Sequence, residues 1–165
     1  MAISSPSGVA RPQTERRPRP PTEHPGMPMP EPISAPSAFP YATHVNVLYP
    51  ALDKFALDPL VAAVKDAWYN QTLARVNDSV IRLGVVQGEY HWHEHAADDE
   101  FFFVIEGRFL IDLEPQADGV TPGRVVELGP REGFVVPKGV RHRTRAPNRA
   151  VILMVETSAI VPTGS

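Results

Sequence analysis

The sequence predicts an all-β domain, an antiparallel sandwich or barrel, preceded by one short helix. Three observations carry this. After Asn70 the chain breaks into short segments rich in β-branched and aromatic residues: "TLARV", "SVIRLGVVQ", "EYHWHEH", "EFFFVIE", "RFLIDL", "RVVEL", "GFVVP", "HRTRA" and "AVILMVE". Turn signals separate them: "ND", "EG", "ADG", "GP", "KG" and "PN". Helical periodicity is confined to "LDPLVAAVKDAW", ahead of the strands.

In chain order, the first element is an arm. Eleven of the 19 prolines fall in the first 40 residues. Such a segment lacks amide donors and apolar bulk and cannot offset its ordering entropy. Residues 1–38 are therefore expected to be an extended or disordered proline-rich arm. Its "RPRPP" run, Arg17–Pro21, reads as part of a solubilising leader rather than as a ligand for a proline-recognition domain. Ordered structure should begin near Phe39–Tyr41, which makes residues 39–165 one domain. A chain of 165 residues suffices for one real core and is short for two. In the helical segment Asp58 suits the N-cap and Pro59 the first helical position. Leu60, Val61, Val64 and Trp68 would share its buried face. Further on, "IEGRFLIDL" reads as a tight hairpin centred on Gly107.

Composition excludes several classes. A formal charge of −3 gives no general attraction to nucleic acid or anionic lipid. The chain has no cysteine, so it has no disulfide framework, thiol nucleophile or thiolate metal site. No apolar run approaches a membrane-spanning length and the N-terminus has no signal-like apolar region. The expectation is a cytoplasmic protein with no nucleic-acid and no membrane partner. No Ser-His-Asp order or glycine-rich phosphate loop is present.

The chemistry is concentrated in "GEYHWHEHAADDEFFFVIEG", residues 88–107. Three of the six histidines, His91, His93 and His95, fall within five residues. On a strand they would share a face. Three inward imidazoles are costly without partners, and a divalent metal is the partner imidazole suits best. Glu100 follows five residues after His95, placed to face the same ion from the next strand, and "VPKGVRH" brings His142.

These residues resemble the cupin superfamily. His93, His95, Glu100 and Gly107 look like its first motif. Pro137, Gly139 and His142 look like the core of its second. The resemblance spans roughly residues 68–163, and the nearest likeness is to small single-domain bacterial cupins. The departures concern turns: Gly88 lies five residues before His93 rather than six, and Ala146 stands where an asparagine is usual. His91 and His93 also form a His-x-His pair, but the gap to Glu100 then exceeds the motif. The resemblance implies a small double-stranded β-helix, a jelly-roll barrel, with His93, His95, Glu100 and His142 holding one divalent metal per chain. It also implies a homodimer. Fe, Mn, Ni, Cu, Co and Zn all suit three imidazoles and a carboxylate.

Alternation from His93 turns Glu89 and His91 to the metal side, as candidate catalytic bases, with His91 at the rim. It turns Phe102, Val104 and Thr144 inward, and Tyr90, Trp92, Arg141, Arg143 and Arg145 outward. Met154 is a core residue that can also line the cavity, and Arg82 and Gln87 are candidates for substrate contact. A metal-dependent enzyme on a small organic molecule is the leading expectation, with dioxygenase-type chemistry favoured by the resemblance. A metal-assisted isomerase, lyase or cyclase and a non-catalytic small-molecule binder are the alternatives.

Overall fold

A computed structural model describes residues 41–117, 122–160 and 162–164; the arm expected over residues 1–38 lies outside them. The elements run β1 Ala42–His44, α1 Leu57–Ala63, β2 Trp68–Val76, β3 Ser79–Glu89, β4 Glu100–Glu106, β5 Phe109–Leu113, β6 Arg124–Leu128, β7 Gly133–Val136 and β8 His142–Thr157. The all-β expectation holds. Among the described residues no helix is long and apolar enough to cross a membrane.

β8 is the spine of the sheet. From Arg145 to Thr157 it pairs antiparallel with β3 on one side. On its other side it pairs with β4 through Val151–Val155 and with β5 through His142–Arg145. β4 and β5 therefore run in one direction along the same strand, and they do not pair with each other. The hairpin expected at Gly107 is instead a corner within one long bent strand. Gly107 has φ +82°, and a Cβ there would stand 2.7 Å from the Arg149 carbonyl oxygen, so the corner needs glycine. β6 and β7 repeat the pattern, pairing with β5 and β4 respectively. β3 and β8 bend at the same level. Between the pairs Val86↔Ala150 and Gly88↔Ala146, two steps on β3 oppose four on β8. The bent strands curl the sheet without closing it, and β1 and β7 stand at the ends of the path.

Burial follows the two faces. The inner face carries cross-strand rows such as Thr72–Arg82–Met154–Phe102 and Asn70–Gly84–Ile152–Val104. The barrel core gathers Trp68, Val86, Tyr90, Phe102, Val104, Phe109, Ile111 and Ile152. A second core lies on the outer face of β2 and β3, where Tyr69, Leu73, Leu83, Val85 and Val151 meet Leu60 of α1.

The helix is shorter than its periodicity suggests. Ala56 is the N-cap and makes no side-chain cap; Asp58 lies in the first turn, where its charge still meets the positive end of the helix. Leu60 is buried, with Val61 and Val64 packed beside it, as expected. Trp68 leaves this face. It opens β2 and stacks on Tyr90 in the barrel, with ring centroids 5.1 Å apart. Burying an indole in the main core outweighs the propensity of one further helical turn.

Candidate metal centre

Four residues from two separate stretches of chain meet at one end of the barrel. His93 and His95 lie on a segment that is not regular strand. His93 bridges to His142 by reciprocal backbone hydrogen bonds of 2.9 Å. The His95 carbonyl accepts from Gly139 N–H at 2.8 Å, inside a turn where Gly139 takes φ +73°. Glu100 opens β4 and His142 opens β8. All four are buried, and one ligand atom from each lies within 4.8 Å of all the others. Donors held about 2.0–2.2 Å from one ion stand no more than about 4.4 Å apart, so a slight contraction brings the set to bonding distance.

Hydrogen bonding fixes which nitrogens face inward. His93 Nδ1 lies 3.0 Å from the His91 carbonyl, and His142 Nδ1 lies 2.9 Å from the Val140 carbonyl. A carbonyl only accepts, so both Nδ1 atoms carry the proton. In the neutral rings each Nε2 is then a bare lone pair aimed inward, the ligating form. Nε2 of both His95 and His142 lies 3.4 Å from Glu100 Oε2. None of these three atoms has a hydrogen-bond partner, and all are buried. A lone pair facing a carboxylate oxygen is repulsive unless a proton or a cation lies between them. Burial, and then the neighbouring His142, lower the His93 pKa to about 4, so its ring is neutral near pH 7. Burial alone would raise the Glu100 pKa; His142 and His95, when their rings carry a proton towards it, outweigh burial and lower it. The donor set therefore fits a divalent transition metal.

Comparison with known proteins agrees. The Cupin_2 family model, "Cupin domain", matches residues 80–156. A cupin-2 domain containing protein from Shewanella frigidimarina superposes with a TM-score of 0.55 at 31% identity, covering 62% of this chain and 93% of that one. The chain belongs to the cupin family. Uncharacterized protein YdbB of Bacillus subtilis (strain 168) is 41% identical over 93 residues, 56% of this chain and 76% of that protein. At 16% identity and a TM-score of 0.53, the fold is also shared with hydroquinone 1,2-dioxygenase from Sphingomonas sp. TTNP3, solved with 4-hydroxybenzoate bound; the match covers 65% of this chain and 32% of that one.

Around its centre this cupin departs from simple strand alternation. Tyr90 N–H donates to the Thr144 carbonyl and His93 N–H to that of His142. Three steps on one side thus oppose two on the other. The extra residue turns Tyr90 inward beside His93, where it is buried, against the outward placement expected for it. Glu89 is correspondingly not on the metal side. Its side chain is 60% exposed and pairs with Arg143 at 3.0 Å. His91 keeps the rim position: its ring centroid is 5.2 Å from that of His93, and its Nε2 donates to the Thr163 carbonyl at 2.7 Å.

Thr144, Phe102 and Met154 do face in and line the cavity, with Trp68, Asn70, Glu100 and Pro162 among its other walls. The three arginines face away and are paired with acids. Arg143 and Arg145 share Asp112, and Arg141 pairs with Glu114. Trp92 lies beneath two of them, with Arg141 and Arg143 at 5.9 and 5.2 Å from its ring centre. Arg82 faces inward but forms a buried ion pair with Glu156, so it is engaged within the chain. Sequence reading missed that pair, the inward Tyr90 and the approach of Pro162. Gly88, at φ +100°, is the signal that alternation breaks before the histidines.

Proposed function

We propose that this cupin binds one divalent transition metal through His93, His95, Glu100 and His142 and acts as a metal-dependent enzyme on a small organic molecule. The observation that carries the reading is the convergence of three imidazoles and a carboxylate, all buried, with partnerless Nε2 and Oε2 atoms facing one another. Buried polar groups without partners are rare enough to call for an explanation, and an ion supplies one. Bound there, the metal supplies Lewis-acid chemistry, or oxygen chemistry if it is redox-active. The chain's own residues do the rest. The Nδ1–H bonds to the His91 and Val140 carbonyls hold two ligand rings in orientation. Trp68, Tyr90, Phe102, Ile152 and Met154 keep the interior apolar and exclude bulk water.

Dioxygenase-type chemistry is the favoured form. It is supported by the histidine-rich donor set and by a barrel fold that also serves a hydroquinone dioxygenase. The isomerase or lyase reading needs a base beside the metal; of its two candidates Glu89 stands on the exterior and His91 Nε2 is engaged by the Thr163 carbonyl. Elemental analysis of protein purified without chelator or affinity-bound metal is the test. About one metal per chain is expected, with loss in His142→Ala. A chain that contains no metal and cannot be loaded with one overturns the proposal. Oxygen uptake with a catechol-like substrate then tests the chemistry, and turnover under anaerobic conditions redirects it. A homodimer belongs to the same reading: among the described residues β1 and β7 are open edges, and Val135 on β7 is 48% exposed. Light scattering at about twice 18.1 kDa checks it.

A further inference from the structure

The chain beyond β8 returns to the metal centre. Ile160 is buried and anchors this return. The Pro162 carbonyl accepts from the Tyr90 hydroxyl at 3.2 Å, and the Thr163 carbonyl accepts from His91 Nε2 at 2.7 Å. Gly164 has φ +66°, and a Cβ there would stand 2.7 Å from both Cβ and Cδ2 of His93. Backbone thus lies directly against a ligand ring, where only glycine fits.

The cavity that Pro162 helps to wall has a volume of only ≈ 30 Å³. That is water-sized, against the roughly 300 Å³ or more of a small-molecule pocket. An organic ligand therefore needs one wall to move. The strand walls are held by continuous ladders and by the barrel core. Among the described residues Pro162–Gly164 pairs with no strand; it meets the site through the two hydrogen bonds above, the packing of Gly164 and the cavity wall formed by Pro162. It is the wall of least resistance.

We propose that Pro162–Gly164 is a strap across the mouth of the metal centre, that Tyr90 and His91 are the positioning residues holding it shut, and that ligands reach the centre only when it opens. This rests on the reading of the four buried residues as the functional centre. The sequence singled out His91 as a base; the geometry makes it a latch. Its imidazole is spent on Thr163, while its backbone carbonyl orients His93.

The test uses the metal-free full-length protein and diethyl pyrocarbonate, with the modified histidines identified by peptide mass spectrometry. His93, His95 and His142 should react far more slowly than His44, which is part-exposed on β1 and serves as the internal reference. Tyr90→Phe and His91→Phe each remove one latch bond. Each should speed modification of the site histidines about five-fold, the factor that one neutral hydrogen bond supplies. Gly164→Ala displaces the strap sterically and should act in the same direction. The His44 rate should not change. Unaltered site rates in the variants that keep the wild-type circular dichroism overturn the strap. A variant that loses its structure accelerates His44 as well, and the remaining variants decide.

Because the readout needs no metal, it separates the two proposals. Protected histidines in a chain that cannot be loaded would remove the metal reading and leave the strap. In a loaded chain, a gate changes metal uptake and release by the same factor and leaves Kd unchanged. A residue that merely shapes the ligands would move Kd.

Discussion

Adding a divalent metal to the metal-free protein should raise its melting temperature, and His142→Ala should abolish the rise. Three atoms set the scale: Nε2 of His95, Nε2 of His142 and Oε2 of Glu100 are buried without hydrogen-bond partners. An unsatisfied buried polar group costs roughly 1–3 kcal/mol, so several kcal/mol are recoverable at this centre. Metal at a hundred times its Kd stabilises the folded state by about 2.7 kcal/mol, which lies within that range. For a domain of this size about 1 kcal/mol shifts Tm by roughly 4 °C, giving a rise of about 10 °C. His142→Ala also empties a fully buried site and leaves the Val140 carbonyl without its donor, so its metal-free Tm falls too. The informative quantity is therefore the difference between metal-loaded and chelator-treated samples of each variant, read by calorimetry with cobalt or zinc. His91→Ala should keep the rise, since that ring bonds to Thr163 rather than to the other donors. A full rise retained by His142→Ala refutes the reasoning. So does a rise lost in His91→Ala but kept in His95→Ala, which would move the ligand pair to His91 and His93.

Three further outcomes follow from particular contacts. Gly107→Ala should lower stability in urea by more than about 2 kcal/mol, because it adds a collision with the backbone of Arg149 and Ala150 to the cost of positive φ. Gly88→Ala, with open space around it at φ +100°, should cost only the conformational part, about 1–2 kcal/mol. At pH 9 Arg82→Met strands a buried carboxylate and should cost about 3–5 kcal/mol, while the double variant Arg82→Met/Glu156→Leu recovers most of it. Burial, and then the charge of Glu100, raise the Glu156 pKa to about 8, so the single variant should suffer less at pH 5 than at pH 9. In metal-free Glu156→Gln protein, which lacks the opposing proton uptake of Glu156, stability should fall as pH drops from 6.5 towards 4. The His93 pKa is lowered in the fold to about 4, so in that window the unfolded chain takes up the proton first. The His93 contribution, about 3 kcal/mol at most, is complete above pH 6.5 and gone below pH 4. Equilibrium denaturation between pH 4 and 8 in the presence of chelator reads it; stability independent of pH there would remove His93 as the neutral, buried ring described.

The sequence revealed most where its signals were local. Strand identity followed from composition, because β-branched and aromatic runs fit a half-buried pleated surface whatever their partners. The four converging side chains followed from the resemblance of two short stretches to the cupin motifs, and the structure brings together that same set. What failed was long-range. "EGRF" has the composition of a hairpin turn, yet its flanking segments both lie against β8, a pairing fixed more than thirty residues later in the chain. Trp68 reads as the last residue of a helical face, and only the presence of Tyr90 and Tyr41 in the barrel draws it into β2. Arg82 and Glu156 lie far apart in sequence, and no local pattern announces that two strands will set them side by side in the interior.

Glu89 and Tyr90 were misplaced for a further reason, and it bears on how the centre works. Alternation assumes one residue for each rung of the ladder. Between Tyr90 and His93 the chain carries one residue more than β8 offers partners for. Regular pairing would have sent Tyr90 outward with Trp92 and carried Glu89 and His91 in beside the ligands. An ion bound there would then face an additional imidazole and carboxylate, and the mouth would have no hydroxyl. With the extra residue, two imidazoles and Glu100 face His142, Glu89 is released to Arg143 on the exterior, and the Tyr90 hydroxyl reaches Pro162. Burial raises the pKa of that hydroxyl, so it remains a donor across the neutral range. A single-residue irregularity thus separates the groups that can hold an ion from those that hold the chain across its mouth.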